Sequence, residues 1–248
     1  MTDRQPLTLY GMGSPNVVKV AIMLEELSLP YVLRYVAVFQ GEQFTPEFRA
    51  LNPLAKVPVL VDPALGKPLA ESGAILIWLA EQSGQFLPQQ SADRYEVLQW
   101  LMVQMASIGP MLGQLNHFQL LPEGSDPYAL GRYRTIAQTL YRSMDERLGQ
   151  RDWIAGSAYS IADIATFPWA GYLEHHGFTA QDYPHLQRWR DEIRSRPAVV
   201  RARTRMKDEF SDISTKKLQA ASAKDLDRFF SRAEDMPAMD FSAVKRMR

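Results

Sequence analysis

The chain has 248 residues, 46% of them hydrophobic and 23% charged, the balance of an ordinary globular protein with room for one large or two modest cores. Lys plus Arg and Asp plus Glu both number 28, so a formal charge of zero excludes a global electrostatic pull toward nucleic acid or an anionic membrane. Cysteine is absent, which excludes protein disulfides, cysteine-ligated metal sites and a cysteine nucleophile of the chain's own.

The opening Met1 to Pro6 has no apolar run of the kind an export signal needs, and no stretch approaches the ~18 apolar residues that span a bilayer. Cytoplasmic residence is the expectation. Leu7–Tyr10 then reads as a strand, and Val17–Leu27 as a helix with Val17, Val20, Ala21, Leu24 and Leu27 on one face. Tyr31–Val38 reads as a second strand, and the right-handed crossover between the two makes them parallel. Pro46–Leu51 fits a short helix, Val57–Val61 a third strand, Pro68–Ala70 a fourth and Ser72–Glu81 a helix. Turn residues at Asp62–Gly66 leave the last two strands a hairpin apart, so a mixed four-stranded sheet is expected.

From about residue 92 the texture becomes purely helical. One pattern runs through Leu98, Leu101, Met102, Met105 and Ile108 and stops near Gly109-Pro110; another covers Tyr128–Leu148; a third runs from Leu186 to Arg196, before Pro197. Ser160-Ile-Ala-Asp163 is a capping box, a folding signal rather than a catalytic one. The expected division is 1–88, 92–205 and a tail, 206–248, with little sustained periodicity beyond a helical segment around Leu226–Phe230, the tail being either draped on the domain or partly disordered.

Gly11-Met-Gly13 between a strand and a helix suggests a dinucleotide loop, but Asn16 stands where the third glycine belongs. His117, His175, His176 and His185 lack metal-ligand spacing, so no metal is expected, and the run from Arg194 to Lys207 reads as a solvated basic helix end. Three other stations carry more chemistry. Ser14-Pro15-Asn16 places an N-cap and a first-turn proline where a helix N-terminus can lower the pKa of a thiol. At Lys56-Val57-Pro58, a cis proline would turn the Val57 amide outward to pair with an extended peptide. Glu71-Ser72 offers a counter-charge for an ammonium and a capped helix start for a carboxylate. One ligand with a carboxylate, an ammonium, a peptide backbone and a thiol satisfies all three, and glutathione has these groups.

With those residues in place the sequence resembles the cytosolic glutathione transferases over roughly residues 5 to 205, and within them the nu class, bacterial relatives of the yeast nitrogen-catabolite regulator. The strings that carry the resemblance are Ser14-Pro-Asn16 with Lys19-Val20, Gly41-Glu-Gln-Phe44, Asn52-Pro53 with Lys56-Val-Pro58, Glu71-Ser-Gly-Ala-Ile75, Gly109-Pro-Met-Leu-Gly-Gln114, Arg132-Tyr133 and Tyr159-Ser-Ile-Ala-Asp-Ile164. The resemblance implies an α/β thioredoxin-like N-terminal domain followed by an all-α C-terminal domain that holds an acceptor.

It also implies a homodimer that uses glutathione as co-substrate, with no nucleic-acid or membrane partner. Asn16 and Ser14 fall next to the glutathione sulfur as the catalytic pair, with Tyr10 as their rival. Gln43 and Lys56 fall near the glycyl end, Val57 on the cysteinyl backbone, Glu71 and Ser72 on the γ-glutamyl end, and Arg132 at a position of the helical domain that helps hold glutathione. Departures from the class pattern at Ile136, Thr139 and Ala106-Ser107 all lie in the helical domain. The implied activities are disulfide reduction, or conjugation, dehalogenation or ether cleavage; a glutathione-transferase-like interaction module without turnover is the alternative.

Overall fold

The computed structural model describes residues 6–89, 91–233, 235–236 and 239–245. Residues 1–5, on which the reading of the N-terminus leans, lie outside that set. The chain divides into two compact units, one built from residues up to Ile75 together with those from Arg201 onward, the other from Leu76–Val200.

In the first unit β1 (Leu7–Gly11), α1 (Pro15–Glu26), β2 (Tyr31–Tyr35), α2 (Pro46–Leu51), β3 (Val59–Val61), β4 (Pro68–Ala70) and the start of α3 (Ser72–Ser83) follow in the expected order. The sheet order is β2-β1-β3-β4. β1 pairs parallel to β2 with Leu7 opposite Tyr31, and antiparallel to β3 with Leu9 opposite Leu60; β3 and β4 form the antiparallel hairpin. β2 stops at Tyr35 rather than Val38, because the chain leaves the ladder into two 3-10 turns, Val38–Gln40 and Glu42–Phe44, joined at Gly41 with φ +81°. Glu42 Oε2 accepts the Ala37 N–H at 2.6 Å and braces this turn.

Leu7, Leu9 and Gly11 form the buried face of β1, against the fully buried Val17, Val20, Ala21 and Leu24 of α1. A Cβ on Gly11 would stand 2.5 Å from Val17 Cγ1. Gly11 therefore lets the helix start close to the strand end, a packing role.

The second unit is helical: the rest of α3, then α4 (Ser91–Val103), a π-helical stretch Gln104–Ile108, α5 (Gly109–Leu120), α6 (Pro127–Leu148), α7 (Ile161–Ala170) and α8 (Pro184–Arg194). The pattern expected to stop at Gly109-Pro110 instead passes through the π stretch into α5, so Pro110 sits where the π stretch gives way to α-helix. At the start of α7 the capping box forms, and Asp163, with no solvent exposure, also accepts the Ile154 N–H and Trp189 Nε1–H, each at 2.8 Å. Burial raises its carboxyl to about 6, against donors that favour the ionised form. His176, also fully enclosed, lies between the Tyr141 hydroxyl at 2.7 Å and Asn116 Oδ1 at 2.8 Å, a core role and not a ligand's.

The tail is draped on the first unit, one of its two expected states, and it departs from expectation where it begins. Pro197 opens a new helix, α9 (Pro197–Gln219), which passes straight through the boundary expected at 205, and α10 (Ala223–Phe229) and α11 (Ser242–Lys245) follow. Ala198, Val199, Ala202, Met206, Phe210 and Leu218 are buried on α9, and past residue 205 only three of these six remain, spaced too sparsely among charged residues to stand out as amphipathic. Nor is its basic run merely solvated. Arg201 pairs with Glu25 at 2.9 Å, and Arg205 donates to the Tyr31 carbonyl at 2.8 Å, on the edge strand of the sheet. Among the described residues no helix is long and apolar enough to cross a membrane.

Gly11→Ala is expected to lower the unfolding free energy by about 1–3 kcal/mol, since Val17 is β-branched, fully buried and cannot swing away. Chemical denaturation of the two proteins checks this; equal midpoints would remove the close approach as a constraint.

Candidate active site

Ser14 holds the N-cap position of α1 with extended backbone (φ −120°, ψ 154°), but its side chain makes no capping bond. The reason is local. Pro15 at the first helical position has no N–H, and the N–H groups of Val17 and Val18 both reach the Ser14 carbonyl, at 3.0 and 2.9 Å. The hydroxyl expected to cap is left out of the helix, half-buried beside its N-terminus.

A cavity of about 180 Å³ opens in the first unit, lined by Asn16, Asn52, Lys56, Val57, Pro58, Glu71 and Ser72. Five expected site residues, Asn16, Lys56, Val57, Glu71 and Ser72, thus come together from three separate stretches of chain. The Val57–Pro58 peptide bond is cis, and Val57 stands just ahead of the β3 ladder. Asn52, 2% exposed, organises the wall before it: its Nδ2 donates to the Lys56 carbonyl at 2.9 Å and its Oδ1 accepts the Leu54 N–H at 3.1 Å.

Ser72 is the first residue of α3 and not its cap; Glu71 takes the cap position, its carbonyl accepting the Ile75 N–H at 2.9 Å. Glu71 has φ +66° and Ala55, beside Lys56, φ +54°. Two non-glycine residues in the left-handed region flank one cavity, the kind of backbone cost that concentrates at functional sites.

The other expected residues lie elsewhere. Gln43, 5% exposed, is folded inside its own turn, where Nε2 donates to the Val38 carbonyl at 3.0 Å and Oε1 has no partner. Tyr10 is half-buried on β1, opposite Arg34 and Val59. Arg132 is exposed on α6, in the second unit.

Two residues were given no site role by the sequence reading. Asn52 is one. The other is Lys19, fully buried on α1, three residues after Asn16 and so on the same helix face. Burial lowers its ammonium to about 7, and the Glu71 carboxylate acts in the opposite direction. Lys19 lies opposite the Val17, Val20 and Leu24 face, in step with the buried Ile22 and Met23, and that second apolar pair was the available signal.

Chemically the cavity has an acid, a base, an outward-facing backbone segment and two helix N-termini, each with a partial positive charge of about half a unit. It suits a zwitterionic peptide: Glu71 for an ammonium, the start of α3 for the neighbouring carboxylate, Val57 for the backbone, Lys56 for a distal carboxylate, and the start of α1 for a thiolate. No group of three or more His, Asp or Glu among the described residues could hold a metal ion.

A four-stranded mixed sheet with a cis-proline before its third strand, a peptide-sized site at two helix N-termini and a separate all-helical unit define a thioredoxin-like ligand-binding protein with a helical partner unit. The glutathione S-transferase N-terminal domain model matches residues 13–82, and the C-terminal domain model residues 132–197. The disulfide-bond oxidoreductase YfcG of Escherichia coli K12 is 42% identical over 213 residues, covering 83% of this chain and 99% of that protein.

Two solved structures agree. A glutathione transferase family member from Pseudomonas fluorescens Pf-5, with two glutathiones bound, is 44% identical with a TM-score of 0.74, over 82% of this chain and 94% of that one. A glutathione transferase from Pseudomonas putida, with one glutathione disulfide per subunit, is 41% identical with a TM-score of 0.74, over 82% and 92%. The chain belongs to the glutathione S-transferase family.

Lys19 generates a pH prediction. Its folded pKa lies near 7 and its unfolded value near 10.5, so between these the unfolded chain binds more protons and stability rises with pH, by up to about 1.4 kcal/mol per unit. Below pH 7 both states are protonated and the cost of burying the charge is present in full. Lys19→Met is expected to flatten this slope in denaturation curves taken from pH 7 to 10.5; an unchanged slope would mean that Lys19 holds its proton alike in the folded and unfolded chain.

Proposed function

We propose that this chain is a glutathione-dependent disulfide oxidoreductase that activates the thiol of glutathione at the N-terminus of α1. The observation that carries the reading is the gathering of Asn16, Lys56, Val57, Glu71 and Ser72 around one cavity in a chain with no cysteine. The Escherichia coli relative named as a disulfide-bond oxidoreductase, and the Pseudomonas putida structure with glutathione disulfide bound, support disulfide exchange over conjugation. Cytoplasmic residence and a homodimeric state belong to the same proposal and rest on the family.

In this reading Glu71 and the start of α3 hold the γ-glutamyl end, Val57 pairs with the cysteinyl backbone and Lys56 faces the glycyl carboxylate. Ser14 and Asn16 then favour thiolate over thiol, Ser14 through a hydroxyl that does no capping work and Asn16 from the cavity wall. The overall exchange balances with two glutathiones per substrate disulfide: one thiolate attacks and expels a substrate thiolate, the second resolves the mixed disulfide, and two protons move from the glutathiones to the released thiols. A chain without cysteine supplies neither sulfur and forms no covalent link of its own, so its part is to bind, orient and lower a pKa.

Turnover of 2-hydroxyethyl disulfide with glutathione is the expected activity, well above turnover of a chloronitrobenzene. The reverse order would shift the assignment to conjugation, and glutathione affinity without either activity would make the chain a binding module. Asn16→Ala is expected to move the thiol pKa of bound glutathione up toward the free value of about 8.5 and to lower kcat at neutral pH by roughly tenfold or more. Ultraviolet absorbance of the thiolate against pH reads this out, and an unshifted titration would remove Asn16 from the role.

A further inference from the structure

Past residue 197, the last one matched by the family domain models, the chain returns to the first unit and docks on the turns before α2. α10 starts with a complete capping box, Ser222 N–H to Asp225 Oδ2 at 3.1 Å and Asp225 N–H to Ser222 Oγ at 3.1 Å, and its Leu226 is fully buried. The Phe229 ring lies 4.7 Å from that of Phe39, and the Arg228 guanidinium sits 4.8 Å above the ring of Phe44. These contacts grip both 3-10 turns at once.

The grip continues toward the cavity. The Phe44 ring also takes the guanidinium of Arg49, at 5.9 Å, from α2. α2 is fastened at its start by Thr45, whose hydroxyl accepts the Phe48 N–H at 3.3 Å, and at its end by the Asn52 N–H, which donates to the Phe48 carbonyl at 3.0 Å. Asn52 then holds the Lys56 carbonyl from inside the fold. A tail helix is thus linked to the cavity wall through short, packed steps: Arg228, Phe44, Arg49 on α2, Asn52, Lys56.

We propose that Arg228 and Phe229 are positioning residues for this wall: α10 clamps the turns and α2 so that Lys56 stands where it meets the distal carboxylate of the ligand. The proposal rests on the glutathione reading and extends it to a segment outside the matched family domains. Lys56 is exposed and on a long side chain, so its usefulness depends on a backbone fixed from behind. The arrangement makes the tail a part of the binding site without touching the ligand.

The test measures affinities by calorimetry for reduced glutathione and for its glycyl monoethyl ester, in which a neutral ester replaces the distal carboxylate. Arg228→Ala and the milder Phe229→Leu are expected to weaken glutathione roughly 3- to 10-fold and to leave the ester unchanged, the scale on which residues remote from a ligand modulate its binding. In a Lys56→Ala background the same changes are expected to have no further effect on glutathione. An equal loss for both ligands, or a loss that adds to that of Lys56→Ala, would overturn the proposal and leave α10 a general stabiliser. If the unaltered chain binds neither ligand, the glutathione reading fails by itself, and hydrogen exchange decides the clamp separately. Faster exchange at residues 52–57 in the Phe229→Leu protein would uphold the clamp, and unchanged exchange there would end it.

Discussion

The first unit depends on how closely α1 can begin beside the end of β1. Gly11 has no side chain to hold the helix off, and Val17 fills the space a Cβ would take. That approach fixes the first turn of α1, where Pro15 gives no N–H and the Ser14 carbonyl takes two. It therefore fixes where Asn16 meets the cavity and where the positive end of the helix points. Three residues further on, Lys19 is carried under the same wall into complete burial near Glu71. The site is electrostatic before any ligand arrives: two helix N-termini and a buried lysine are set beside a carboxylate held in left-handed backbone. A zwitterion with a thiol uses all of these features, and a simple anion would use only part.

What could be read from the sequence follows from how local each cause is. The strands, α2 and the capping box at Ser160 were legible because proline, turn residues and apolar alternation act over a few positions. So was the cluster of Asn16, Lys56, Val57, Glu71 and Ser72, since helix starts and the pre-proline edge carry their chemistry in neighbouring residues. What was not legible is tertiary. Gln43 was placed at the glycyl end, yet its side chain turns inward to the Val38 carbonyl, a bond no spacing rule announces. Ser14 looked like a side-chain cap, but the tight first turn uses its carbonyl instead. Lys19 is buried although lysine seldom is, because its helix face is required by its neighbours. The tail is hard to read because, past residue 205, α9 has only Met206, Phe210 and Leu218 buried among its charges, and its purpose shows only once β2, an edge strand, is seen to need cover.

The absence of cysteine joins these points. In a thioredoxin-like unit the N-terminus of the first helix is a place where a sulfur is readily ionised, and this chain keeps that place while offering no sulfur. Its chemistry therefore depends on a borrowed thiol, and precision in holding the lender replaces covalent participation. Such a demand explains why so much of the unit is spent on fixing backbone: Asn52 behind Lys56, Glu42 across its turn, and α10 over both turns.

The most direct measurement is a crystal structure with reduced glutathione bound. The account predicts the sulfur within hydrogen-bond reach of the start of α1, at Ser14 or Asn16, with the ammonium at Glu71, its neighbouring carboxylate at Ser72 and the peptide backbone paired with Val57. A sulfur held by the Tyr10 hydroxyl, or glutathione bound away from this cavity, would contradict it.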